Sequence, residues 1–157
     1  MADIDRPLAP RGEKDSRAIG RFIRDSGRLP GLVLCSPAVR ARQTLALIEP
    51  HLGAPEVRVV QSLYSFGDGS DLLAIARTEG GRIPCLMLIG HNPSMARLAM
   101  RLSGSGPTMA LAAMARGYPT AGLAVITFDR PSWAEIGDGD GRLDSFTTPT
   151  HLDAAGS

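Results

Sequence analysis

Residues 33–44 read VLCSPAVRARQT. With Leu32 they open as an unbroken apolar run, stop at Ser36-Pro37, and then deliver two arginines, Arg40 and Arg42, within the first two turns of a helical stretch. A short continuous apolar run is what a parallel strand buried on both faces shows. Ser36 is placed to N-cap the next helix, and Pro37 to take its first position, where a missing N–H costs nothing. Leu45, Ile48 and Leu52 continue the apolar stripe of that helix. The stretch reads strand, turn, helix, with Arg40 in the opening helical turn.

The same pattern returns at residues 85–102. CLMLIG, residues 85–90, predicts a second buried strand. His91 follows, Asn92 can N-cap, and Pro93 can start a helix running through Leu102. Upstream, in EKDSRAIGRFIRDSG, Ala18, Ile19, Phe22 and Ile23 share one helical face, and Gly27 stands where a left-handed cap would end the helix. EVRVV, residues 56–60, alternates as a strand does, and SDLLAIART, residues 70–78, predicts a helix after the turn Gly67-Asp68-Gly69. Residues 104–121 predict a loop with a short helix around Met109 to Arg116. GLAVITF, residues 122–128, reads as a closing core strand, and Leu143 to Phe146 as an edge strand. Strands alternating with helices predict an α/β fold, a three-layer sandwich whose mostly parallel central sheet has helices on both faces. A chain of 157 residues fits one domain, and no stretch reads as a linker.

Composition narrows the function. The 43% hydrophobic and 21% charged fractions are those of a globular chain rather than a disordered one. A net charge of +1 argues against a broad grip on nucleic acid or an anionic membrane, so any anion site must be local. Cys35 and Cys85 each sit in an apolar run and read as buried thiols of a reducing compartment, not as a disulfide framework. No run reaches the roughly 18 apolar residues of a membrane span, and the polar start MADIDRPLAPRG is not a signal peptide. A cytoplasmic protein is expected.

In open α/β sheets, ligands bind beyond the carboxyl ends of the strands, where helix N-termini present unpaired N–H groups. Arg40 can offer a bidentate fork there to a phosphate or carboxylate. His91, at the end of the second buried strand and beside Asn92, can supply an acid/base group. Each residue alone has a plainer reading, as a solvated arginine or a packing histidine, but their occurrence at equivalent ends of two strands predicts one pocket for a tetrahedral anion. Rival chemistries are weaker. Cys35 and Arg40 have four residues between them, where a cysteine phosphatase loop needs five, and Pro37 removes an amide donor. Asp138 and Asp140 in GDGDGR imitate a calcium loop, but Arg142 stands at the third ligand position and Pro149 at the closing one, so a hairpin turn is expected. Methionines 95, 100, 109 and 114 are expected as core filler. His51 and His151 have no partner pattern.

The segments DRPLAPRGEKDS, LCSPAVRARQTLALI, SLY at residues 62–64, LMLIGHNPSM and PTAGLAVITFD resemble, in this order, the histidine phosphatase superfamily. They are most similar to its small bacterial branch, the phosphohistidine phosphatases of the SixA type. The resemblance implies a phosphoglycerate-mutase-like fold, with a phosphorylated protein or a small phosphorylated metabolite as partner and neither metal nor cofactor. It implies that Arg40 is a phosphate-binding arginine. His91 would be the second active-site histidine, bonded to the transferred phosphoryl group, with Asn92 at the same phosphate. In that family a histidine within Arg-His-Gly or Arg-His-Ala, at the end of the first strand, attacks phosphorus. No Arg-His pair occurs here, and DRPLAPRG begins at Asp5, so the first strand and the nucleophile are expected to be missing from the chain. No Trp-Glu-Gly motif marks the usual acid, although Asp68 and Asp71 are nearby in sequence. The expected function is hydrolysis of phosphohistidine or a small phosphomonoester through a phosphohistidine intermediate, impaired by the absent nucleophile. The alternative is a non-catalytic phosphate-binding module that retains Arg40 and His91.

Overall fold

Leu32–Cys35 forms strand β1, and all four residues are buried. In the computed structural model, which describes residues 1–156, this strand is central in a three-stranded parallel sheet. Its neighbours are β2, Glu56–Val59, and β3, Leu86–Ile89, in the order β2-β1-β3. Leu32 lies opposite Glu56 and Leu86, and Cys35 opposite Val59 and Ile89. The central position buries all four residues of β1, whereas β3, expected to be buried, has an equally apolar run but lies at an edge and is only half-buried. As an edge strand β2 has less to bury, and Val59 stays 53% exposed.

The chain divides into two compact units. The first comprises Met1–Tyr64 with Ile83–Gly90, and the second Ser65–Arg82 with His91 onward. In the first unit, helix α1, Pro10–Ser26, starts on a proline and ends at Gly27, whose φ of +75° gives the left-handed cap expected there. Helix α2, Val39–Ile48, packs against β1 and α1 and runs into a 3₁₀ turn, Glu49–His51. Gly20 sits at that helix crossing, where a Cβ would stand 2.8 Å from the His51 ring and 3.2 Å from Ile48 Cα.

The start of α2 differs from expectation. Ser36 N donates to Ile89 O at 3.0 Å, which keeps Ser36 in the strand ladder. The Ser36 Oγ instead accepts from Ala38 N at 3.2 Å, and Ala38 is the N-cap. The hydroxyl closes a local turn before the helix, so helical geometry begins two residues after Pro37.

The second unit holds α3, Ser70–Glu79; α4, Ser94–Leu102; β4, Ser103–Ser105; α5, Thr108–Arg116; β5, Leu123–Phe128; β6, Gly141–Thr147; and α6, Pro149–Gly156. Here too a helix starts late. Pro93 is the N-cap of α4 rather than its first residue, and Asn92 reaches inward to accept from Ala96 N at 3.2 Å. Three strands form a sheet ordered β4-β6-β5, with β4 parallel and β5 antiparallel to β6. The segment expected as an edge strand is therefore the middle one. Its neighbour β4 reads Ser-Gly-Ser, with no apolar residue to announce a strand. Leu143 of β6 is fully buried with Ala99 and Met114, and Tyr118, Ile126 and Phe146 pack on this cluster. Of the methionines expected in the core, Met114 is there, but Met109 is 85% exposed and Met100 is also exposed.

Candidate active site

Arg40 is the second residue of α2. Thr44 Oγ1 donates to its carbonyl at 2.9 Å, and the side chain is about a quarter exposed. Its guanidinium turns toward the 3₁₀ turn at Asp3–Asp5. Nη1 donates to the Asp3 carbonyl at 2.9 Å, and Nη2 to the Asp3 carboxylate at 3.2 Å. The Tyr64 hydroxyl donates to that same carboxylate oxygen at 2.5 Å. Tyr64's hydrogen bond, followed by the Arg40 guanidinium, holds the Asp3 carboxyl below its ordinary range. The Tyr64 phenol rises in return, chiefly through its bond to Asp3. Neither Asp3 nor Tyr64 stood out as a site residue in the sequence, because they lie 37 and 61 residues from their partners.

In the second unit His91 is 7% exposed. Its ring stacks on Phe66 with centroids 5.2 Å apart and planes inclined by 28°. Its carbonyl accepts from Met95 N at 2.9 Å and from Ser94 Oγ at 2.7 Å, so the His91 carbonyl is tied into the first turn of α4. Ser94 Oγ also lies 2.6 Å from the Ser65 carbonyl, which binds the turn to the segment carrying Phe66. Asn92 Nδ2 donates to Tyr118 O at 2.8 Å, leaving one amide N–H uncommitted by that bond.

Other candidates are placed in structural roles. Cys35 is buried, and burial pushes its thiol up to about 11 against a small opposing effect of the exposed Arg42, which is the reverse of an activated thiolate. The Ser70 amide holds Asp68 below the usual carboxylate range by donating to it at 2.9 Å, whereas a general acid needs a raised value. Asp71 accepts from Ser65 Oγ at 3.1 Å. Asp138 pairs with Arg101, and Asp140 accepts from Gly137 N and pairs with Arg130. Among the described residues no group of three or more His, Cys, Asp or Glu side chains is placed to hold a metal ion. His51 Nδ1 lies 3.4 Å from Arg24 Nη1 in the first unit, and His151 is in α6. A shallow cleft of the second unit, lined by Ser105, Phe128, Asp129 and Asp144 among others, contains none of the expected site residues.

These placements can be set beside known proteins. The sequence model of the histidine phosphatase superfamily (branch 1) matches residues 2–69, the part that contains Asp3, Arg40 and Tyr64. Uncharacterized protein Rv1276c of Mycobacterium tuberculosis is 37% identical over 153 residues, which cover 95% of this chain and 92% of the relative. A solved structure assigned as phosphohistidine phosphatase SixA from Nakamurella multipartitia matches with a TM-score of 0.78 at 26% identity, over 95% of this chain and 88% of that one. A second, from Agrobacterium tumefaciens, matches with a TM-score of 0.75 at 29% identity, over 95% and 87%. The chain belongs to the histidine phosphatase superfamily, and its α/β fold is that of the SixA-like, phosphoglycerate-mutase-like members. Its class of chemistry is that of a phosphatase, a hydrolase.

Proposed function

We propose that this chain acts on phosphohistidine or a small phosphomonoester, with a phosphorylated protein or metabolite as partner in the cytoplasm. Arg40 binds the phosphoryl group in this reading. His91 hydrogen-bonds the phosphoryl group as it is transferred, and Asn92 adds its remaining amide N–H. The observation that carries the reading is Arg40 itself. A guanidinium has five N–H donors, and Asp3 takes one on each terminal nitrogen. Nε–H and one further N–H on each terminal nitrogen remain for a planar, charge-assisted fork to an oxyanion. A phosphorylated imidazole leaves readily once protonated, which suits a chain whose candidate acid, Asp68, is held ionised.

In a second reading the chain is a module that binds phosphate through Arg40 and His91 without turning it over, which suits a Cys35 thiol that burial keeps protonated and an Asp68 held below the usual carboxylate range. Titration calorimetry with orthovanadate tests what the two readings share. Arg40→Ala should lose on the order of 2–4 kcal/mol of binding free energy, and unchanged affinity would reduce Arg40 to a surface residue. Quenching the protein after mixing with a phosphohistidine peptide separates them. Acid-labile, base-stable phosphate on the protein supports hydrolysis through a phosphohistidine, and tight orthovanadate binding without it supports the binding module.

A further inference from the structure

The first unit carries an arrangement that the family assignment leaves without a role. Arg40, Asp3 and Tyr64 form a chain of three side chains in which every link is a direct hydrogen bond. Asp3 grips the guanidinium twice, through its carbonyl and through its carboxylate. Tyr64 grips the carboxylate. We propose that Asp3 and Tyr64 are positioning residues for anion recognition: they hold the end-on edge of the Arg40 guanidinium so that its Nε edge is presented to the phosphoryl oxygens. The proposal rests on the reading of Arg40 as the phosphate-binding arginine.

Three features support positioning over an incidental surface ion pair. An exposed pair usually contributes little because two long side chains must be immobilised for one contact. Here one partner is a backbone carbonyl, already fixed by the 3₁₀ turn in which Arg6 N donates to Asp3 O at 3.1 Å. The two contacts fall on different terminal nitrogens, so they fix the plane of the guanidinium as well as its place, and a fork to phosphate depends on that plane. Tyr64 donates to the same carboxylate oxygen that accepts from Arg40. That bond supports the ionised carboxylate and keeps the acceptor in line. Orienting a long side chain beforehand removes part of the ordering cost that binding would otherwise carry.

The arrangement could instead oppose binding, with the Asp3 carboxylate standing in for the anion and having to be displaced. The two roles predict opposite signs. Orthovanadate affinity is to be measured for the wild type, Tyr64→Phe, Asp3→Asn, Arg40→Ala and the double variant Asp3→Asn/Arg40→Ala, each checked for an unchanged melting temperature. The Arg40 Nε–H resonance is followed by ¹H–¹⁵N NMR. Positioning predicts that Tyr64→Phe and Asp3→Asn each weaken binding by about 3- to 10-fold, the scale of freeing one long side chain. The Nε–H signal should then merge with those of mobile arginines. Asp3→Asn should have no further effect once Arg40 is gone. Tighter binding by Asp3→Asn overturns the proposal in favour of a competitor. Unchanged affinity in both single variants, with loss in Arg40→Ala, overturns positioning while leaving the phosphate role of Arg40 standing. A wild type that binds no orthovanadate sinks that role and the positioning with it.

Discussion

At the scale of single residues, two titrating groups make the local chemistry measurable. Asp3 is exposed, yet Tyr64 and Arg40 both favour its ionised form. A carboxyl held low in the folded protein adds stability above its unfolded value, near 3.8, and that contribution is lost as pH falls through the lowered value. Carbonyl NMR should place the Asp3 titration below 3.8, and Tyr64→Phe should move it upward, since the phenol's bond is the largest cause. Cys35 works in the opposite sense. Its buried thiol holds its proton up to about 11, while the unfolded chain releases it near 9. Its contribution is present below pH 9 and is lost as pH rises toward 11, at most about 1.4 kcal/mol per pH unit. Denaturant melts at pH 8, 9 and 10 should show that decline, and Cys35→Ser should flatten it while lowering stability overall. Some slope will remain from Cys85, whose thiol burial also pushes up, and at the upper end from Tyr118, whose phenol burial pushes up to about 12. Rapid alkylation of native Cys35 at neutral pH would contradict this account.

At the scale of elements, glycines set how closely helices approach. Gly69 enters α3 with a φ of +92°, and a Cβ there would meet the backbone of Leu98 at 2.9 Å. Strain in the left-handed region and the clash with α4 act together, so Gly69→Ala should cost roughly 1–3 kcal/mol. For a chain of this length that is about 2–4 °C of melting temperature per kcal/mol. Gly27 offers the contrast. Its φ is also positive, but nothing lies within 4 Å of the added carbon, so Gly27→Ala should cost only the backbone term. Equal losses at the two positions, measured by thermal unfolding, would show that α3–α4 contact does not depend on Gly69.

At the scale of the whole molecule, the three histidines of this sequence lie in different settings. His51 is set beside Arg24 and His151 sits in α6, while His91 is nearly buried against Phe66. Only His91 stands at a strand-to-helix turn. His51→Ala and His151→Ala should leave orthovanadate affinity unchanged, and His91→Ala should weaken it; loss in either of the first two variants would place the anion elsewhere. With a net charge of +1 spread over 157 residues, recognition of the anion must come from such local groups and not from the field of the molecule. Among the described residues, no helix is long and apolar enough to cross a membrane.

Much of this protein was legible in its sequence because the signals are local. The run at Leu32–Cys35, the face of α1, its cap at Gly27 and the short helix at Thr108–Arg116 follow from burial period and turn chemistry within a few residues, whereas Leu86–Ile89 forms the expected strand but is only half-buried at the sheet edge. The strand-turn-helix signature around Arg40 and the GHNP turn sufficed to point to the family. The tertiary structure decided what depends on distant partners. Leu143 became part of a central strand because a Ser-Gly-Ser segment pairs beside it. Helix α2 began at Val39 because Ser36 was already bonded to a neighbouring strand. Arg40 acquired Asp3 and Tyr64, and His91 acquired Phe66. Hydrogen-bond partners and ring stacks between residues far apart in sequence leave no periodic trace in either segment, so only the folded chain brings them together.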